Sequence, residues 1–395
     1  MNIDVLELGS DRANVCFEGE RRRERVRSAH GEVVIDRFDD VGFELRFVRV
    51  KSEGIGGVAS FVANLIDTVE LPNGWGVVGR EGFSAAGSRT IWIPRPPREM
   101  SVRDHAGRSK IGDQAVDGWR IAQDGELRCR LPADRGNVIW SLSMVVFDDA
   151  DGEQRHHVEW LSRQSWPVLM KSDWFRADSP MDLWDALIDG DVFDPRPSTC
   201  GCGRFRCQQC AAAWWSYLRI AGESSGSDIM RMLATELAWS IRLNLDEPGG
   251  WRHGFWREDA ETHLRFYLDG RGLLVDEAYL AADQSWHPSI DRAVDVVLNR
   301  YSDTLADGGL WFLHDSLEAA GIAPPHPTPR LGQSPGNTLC LNTHVQALTV
   351  LAKAAKILDP EASGRIVSAY ERGMAALRRI LELDSAPMIY GVLGS

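Results

Sequence analysis

Through the first half of the chain, apolar residues come in short β-favouring runs cut by Gly, Asp and Pro. The runs are GEVVID, GFELRFVRV, GWGVVG, SRTIWIPR, NVIWSLSMVVF and HHVEWLS, all between Gly31 and Ser162. Runs of this length, rich in Val, Ile, Phe and Trp and spaced by turn formers, predict antiparallel strands in a β-rich, sandwich-like domain. Gly54 to Gly57 and Pro94 to Pro97 read as turns, and the polar stretch from Arg98 to Asp117 reads as a long loop.

From about Asp182 the period lengthens. Ile290, Ala293, Val294, Val297, Leu298 and Tyr301 recur at i, i+3, i+4, i+7, i+8 and i+11, which is one face of an amphipathic helix. Leu341, Val345, Leu348, Ala352, Ala355 and Leu358 draw a second stripe, ended by Asp359 and Pro360. Ile366, Tyr370, Met374, Leu377 and Leu381 draw a third. Weaker stripes run from Cys207 to Ile220, Ile229 to Ile241, Ala260 to Leu268 and Leu273 to Ala282. The expected class is α+β: a β-rich domain over 1–180, a linker with a cysteine cluster over 181–211, and a helical domain over 212–395.

Composition narrows the partners. A chain of 395 residues that is 44% hydrophobic can bury a large core. Its formal charge of −13 argues against nucleic acid as the main partner, because displacing counterions from phosphates needs a Lys/Arg excess. No apolar stretch of about 18 residues predicts a membrane span, and the first residues carry no sustained apolar signal region. A cytoplasmic address is the expectation, and oligomerisation is left open.

Four of the seven cysteines fall in the segment CGCGRFRCQQC. Cys200, Cys202, Cys207 and Cys210 are spaced C-x-C-x4-C-x2-C, and Gly201 and Gly203 let the backbone wrap closely. Four thiolates at short range suit a tetrahedral structural zinc, whose filled sphere leaves no place for a reacting water. An iron–sulfur cluster and reactive or disulfide-forming thiols remain alternatives. The first three cysteines resemble the zinc-binding loop of the post-SET segment, a likeness that extends to the metal geometry alone. Cys16, Cys129 and Cys340 stand alone and read as buried thiols.

Three segments of the helical half concentrate polar groups: GGWRHGFWREDAETH, DGGLWFLHDSLE and SPGNTLCLNTHVQALTVL. Trp251, Trp256, Trp286 and Trp311 suit either the core or a platform for sugar rings, since an indole face packs on sugar C–H groups. His314 and Glu318 stand i, i+4, so one helical turn would let the carboxylate orient the imidazole. His344 lies near a helix start, where the dipole favours a neutral base or the ring simply bonds a loop carbonyl. Asn342 reads as an N-cap or a ligand contact, and Arg257 with Glu258 or Glu261 as a solvated ion pair or part of a site.

The order of these segments resembles the carboxy-terminal helical domain of the D-glucuronyl C5-epimerase family over roughly Gly249 to Leu383. Asp307, Gly308, Gly309, Trp311 and Phe312 look like its DGG turn and aromatic segment, and Leu341 and Asn342 look like its LNG helix start. Thr343 stands where that family has Gly, and His344 is an addition. The resemblance implies an α/α toroid, here an incomplete ring, acting on a carbohydrate or glycoside by removing and returning the proton at C5 of a uronic acid unit. Such chemistry needs acid/base groups on two faces and donors for the developing enolate. His314, Glu318 and His344 are the candidate catalytic groups, with His253, Arg257, Trp311, Asp315 and Asn342 as substrate contacts. A glycoside hydrolase pairing Asp276 or Glu277 with Asp315 or Glu318, a uronate lyase, and a non-catalytic zinc-stapled scaffold are the competing readings. No phosphate-cradling glycine loop, nucleophile elbow or HExxH helix is present.

Overall fold

The computed structural model describes residues 2–4, 14–18, 21–28, 31–40, 43–52, 60–72, 75–81, 89–96, 98–102, 109–115, 120–121, 126–130, 139–148, 152–163, 170–172, 175–177, 187–188, 191–192, 211–243, 245, 249–250, 252–257, 260–263, 268–313, 316–320, 337 and 339–382. They mix sheet and helix, and the chain divides into two compact units. The first holds Met1–Leu169 and Ala177–Asp189, and the second Met170–Arg176 and Gly190–Ser395.

Among the described residues of the first unit thirteen strands join into one sheet. They are β1 (Asn2–Asp4), β2 (Asn14–Glu18), β3 (Arg21–Ser28), β4 (Gly31–Asp40), β5 (Phe43–Ser52), β6 (Ser60–Glu70), β7 (Val77–Glu81), β8 (Thr90–Ile93), β9 (Arg98–Val102), β10 (Ser109–Ala115), β11 (Arg120–Ile121), β12 (Glu126–Arg130) and β13 (Ile139–Phe147). The order is β11-β12-β6-β7-β8-β13-β5-β4-β3-β2, with β1 parallel to β6 and the β9–β10 pair joined to β13. Val145 of β13 stands opposite Leu45 on one side and Trp92 on the other, and all of Leu142 to Phe147 except Ser143 is buried. A strand buried on both faces loses its alternation, which is why NVIWSLSMVVF reads as a near-continuous apolar run. Trp92 stacks on Trp75 with ring centroids 5.7 Å apart and donates its Nε1–H to the Trp75 carbonyl at 2.7 Å. Gly76, at φ +77°, is required in this corner, since a Cβ would sit 2.0 Å from the Ile93 carbonyl oxygen.

Two expectations fail in this unit. The polar stretch after Pro97 is not a loop throughout, because β9 and β10 pair there antiparallel. HHVEWLS is not a strand: Glu153–Ser162 forms helix α1, which turns Val158 and Leu161 inward. The spacing i, i+3 between those two residues is the helical signal, while Val158 and Trp160 two apart mimic a strand.

The second unit is mainly helical. α2 (Ala211–Ser225) and α3 (Asp228–Leu243) are linked through Gly226, at φ +68°, and Ser227. Next come a hairpin of β14 (Arg252–Arg257) and β15 (Ala260–His263), helices α4 (Leu273–Ala281) and α5 (His287–Arg300), and a hairpin of β16 (Ser302–Thr304) and β17 (Leu310–Phe312). α6 (Ser316–Ala319), α7 (Leu341–Ile357) and α8 (Pro360–Leu381) follow. The stripe expected over Ala260 to Leu268 is therefore wrong at its start, where Ala260 pairs with Arg257 and His263 with Arg252.

The α7–α8 link is set by Asp359, whose side chain accepts from the amides of Glu361 and Ala362 at 3.0 Å each, with Pro360 at the first helical position. A cap of this kind contributes about 1 kcal/mol. α5 buries Ile290, Ala293, Val294 and Val297 as its stripe predicts, but the hairpin helices are turned relative to theirs. α7 buries Thr343, His344, Ala347, Leu348, Val350, Leu351 and Ala354, while Val345 is exposed. α8 buries Ala362, Ile366, Ala369, Gly373 and Ala376, while Leu381 is exposed.

Candidate functional site

The three segments picked out by the resemblance divide between one packed knot and two other places. Asp307 accepts from the Gly309 amide at 2.9 Å, Gly308 takes φ +85°, and the Leu305 amide donates to the Gly309 carbonyl at 2.9 Å. This turn joins β16 to β17 and sets Trp311 opposite Asp303. Trp311 is 0% exposed and lies flat on the His344 ring, 3.9 Å between centroids and 2° between planes. His344, on the first turns of α7, reaches the same strand: its Nδ1 accepts the Phe312 amide at 3.1 Å. Its Nε2 lies 3.1 Å from the Gly373 carbonyl of α8. An acceptor at Nδ1 and a carbonyl partner at Nε2 select the neutral tautomer with its proton on Nε2.

Burial is the main cause that lowers the His344 pKa, to about 4, and the bond to the Gly373 carbonyl opposes it. The sequence assigned the neutral form to the helix dipole; in the fold it follows chiefly from desolvation. Both ring nitrogens are committed to backbone, so direct proton exchange with a bound molecule requires the ring to leave those partners. Gly373 is what admits it, since a Cβ there would lie 2.8 Å from Leu348 Cδ2 and 3.0 Å from Phe312 Cε2.

The chain enters α7 under constraint. Leu339 is buried at φ +52°, a region uncommon for a branched side chain, and its amide donates to Asn337 Oδ1 at 2.9 Å. Asn337 in turn donates to the buried Asp303 carboxylate at 2.9 Å, tying the segment before α7 to β16. The N-cap position is Cys340, with no side-chain cap bond, rather than Asn342. Asn342 Oδ1 instead accepts the Thr343 amide at 2.7 Å and the Cys340 thiol at 2.8 Å.

The other predicted residues are distributed as follows. Glu318 lies in α6 and is buried, whereas His314 and Asp315 fall outside the described residues. His253 and Arg257 belong to β14, at register positions opposite Thr262 and Ala260. Trp256 is on the same strand, and Trp251 is outside the described residues. Trp286 is core: with Trp239 it flanks the Arg242 guanidinium, 4.8 and 4.9 Å from the two ring centroids. Cys200, Cys202, Cys207 and Cys210 lie outside the described residues, immediately before α2. Among the described residues no group of three or more His, Cys, Asp or Glu side chains is placed to hold a metal ion.

Of the four carboxylates in the hydrolase alternative, Asp276 and Glu277 are engaged within the protein. Asp276 receives two bonds from Lys353, at 2.7 and 2.9 Å. Glu277 is buried and accepts from Trp215 Nε1 at 2.6 Å, from Thr235 at 3.2 Å and from Arg219, linking α2, α3 and α4. Sequence reasoning missed this network, whose other members stand 42 to 62 positions from Glu277 and carry no local signature.

No helix among the described residues is long and apolar enough to cross a membrane. No protein-family model matches the chain, and no curated protein matches it. Among solved structures, a polysaccharide lyase aligns over 89% of this chain and 70% of its own, at 10% identity and a TM-score of 0.26. A protein described as a kojibiose phosphorylase from the human microbiome aligns over 91% of this chain at 9% identity and a TM-score of 0.26. The chain spans about half the length of that phosphorylase, 55% of it being covered. Both names are those of carbohydrate-active enzymes.

Proposed function

We propose that this is a carbohydrate-active protein in which a sandwich-like β-rich region precedes an incomplete α/α toroid, and that it removes and returns the proton at C5 of a uronic acid unit. One observation carries the reading: Phe312, two residues before His314, is fastened by its amide to His344. The DGG turn, the aromatic strand and the helix start, which carry the family resemblance, are thereby held in one place. On this reading His314 and Glu318 are the acid/base pair, and His344 is a positioning residue that acts through Phe312, with Trp311 packed behind it. Asp315, His253, Arg257 and Asn342 are the proposed substrate contacts. The four cysteines ahead of α2 hold a structural zinc, and less than about half an equivalent of zinc in freshly reduced protein would count against that.

The test is deuterium incorporation from solvent at C5, using a panel of uronate-containing oligosaccharides, with absorbance of unsaturated products followed in parallel. Exchange without unsaturation, lost in His314→Gln and Glu318→Gln, is the expected result. Unsaturation would shift the chemistry to a lyase. A second reading has its own support, the enclosure of His344 and Trp311: a binding scaffold without chemistry. Absence of exchange across the panel would favour it.

A further inference from the structure

The helix of the first unit presents a surface that the proposed chemistry does not use. α1 is anchored from below by Val158 and Leu161, and its upper side carries Trp160, 52% exposed. One turn back, the His157 ring leans against the indole at 6.0 Å between centroids and 59° between planes, and His156 is exposed beside it. One turn ahead, at i+3, is the exposed Arg163. Its guanidinium makes no hydrogen bond or ion pair among the described residues. The neighbouring carboxylate that could claim it, Glu159, is taken by Arg155 at 2.9 Å.

Each part of this arrangement constrains the ligand. A single flat indole in a polar surround lacks the contiguous, charge-depleted apolar patch of a protein interface. It matches a sugar ring, which offers one C–H face to an aromatic plane and hydroxyls to donors at its edge. A guanidinium one turn away that has no partner among the described residues adds a charge-assisted, bidentate partner for a carboxylate, in a chain whose formal net charge is −13. The platform is held rigidly: the Ser162 hydroxyl donates to the Glu159 carbonyl at 2.8 Å and the Arg163 amide to the Trp160 carbonyl at 3.1 Å.

We propose that the exposed face of α1 binds an acidic sugar unit, with Trp160 stacking on the ring and Arg163 taking its carboxylate. The inference rests on the carbohydrate reading and adds to it a subsite for uronate chains in the first unit.

Electrophoresis in native gels containing polygalacturonate, alginate or a neutral glucan tests it with the full chain. Retardation by at least one acidic polymer is expected, weakened about tenfold in Trp160→Ala, because the stacking face is removed. Arg163→Gln should weaken retention by the acidic polymer and flatten its salt dependence, while Arg163→Lys keeps the salt dependence with lower affinity. Trp160 is exposed, so its variant keeps the wild-type fold, which circular dichroism confirms.

The proposal is overturned if Trp160→Ala runs as the wild type does, or if no acidic polymer retards the wild type at low salt. It is equally overturned if Trp160→Ala alters only sedimentation, which would make the surface a protein contact. Should the wild type exchange deuterium in short uronate oligosaccharides while Trp160→Ala is retarded normally, this inference alone fails and the proposed chemistry stands.

Discussion

In α5 most of the buried residues are branched, Ile290, Val294, Val296 and Val297, whereas the buried faces of the α7–α8 hairpin set Leu348, Val350, Leu351 and Ile366 among Ala, Gly and a histidine. The difference lies in how closely the neighbouring backbone approaches. A helix laid on a general core fills space with branched side chains, so size and burial coincide along its sequence. Where two helices and a strand meet at short range, small residues occupy the contact and larger ones flank it. Gly373 is the clearest case, since a Cβ there would crowd Leu348 and Phe312, with His344 beside them at ordinary contact distance.

The largest consequence of that close contact should appear with acid. His344 is held neutral in the fold with its pKa near 4, against about 6.5 in the unfolded chain. The folded value is the lower one, so its stabilising contribution is full above pH 6.5 and is lost as pH falls toward 4. A difference of this size is worth about 3 kcal/mol once both states are protonated. Urea unfolding between pH 7 and 4 should show that loss in the wild type and a shallower slope in His344→Gln. Equal slopes would mean that the imidazole is not enclosed and that α7 is not turned as described.

How much of this was legible beforehand depended on whether the signal was local. The α5 stripe, the Asp359-Pro360 stop and the DGG turn are written in adjacent residues, and the structure uses each of them. The phase of α7 was not legible, because Leu, Val and Ala surround it on most sides and only the partner decides which face is covered. His344 therefore read as a polar helix end, although it occupies the centre of the buried face. α1 was misread since Val158 and Trp160 alternate like a strand, and β9 and β10 were missed because polar strands resemble loops. Glu277 enters the hydrolase alternative as one option beside Asp276 because nothing in sequence places Trp215 and Arg219 beside it.

A smaller effect separates close approach from simple burial. Gly373→Ala adds one methyl group where Leu348 and Phe312 already stand at 2.8 and 3.0 Å. Overpacking costs about 1–3 kcal/mol, and exchanging Gly for Ala in a helix returns up to about 1. The net expectation is a loss of about 1 kcal/mol by urea unfolding, with a smaller shift in the acid dependence as His344 is displaced. A gain in stability would show that α8 stands further from β17 than these distances indicate.

The smallest effect is the most discriminating between the two ways of phasing the hairpin. Val345 and Leu381 belong to the stripes that large residues draw, yet they are 43% and 52% exposed. If size determined the buried face, Val345→Ser and Leu381→Ser would each remove a core side chain, and truncations of that kind cost about 2–5 kcal/mol at a Leu or Ile. With the buried faces carrying Ala347, Leu348, Leu351, Ile366, Ala369, Gly373 and Ala376, and both of these residues outside them, each change should stay within about 0.5 kcal/mol of the wild type. Thermal unfolding of the two variants resolves that gap. A large loss at Val345 would also return His344 to the exposed side of α7, where its ring could meet a substrate directly.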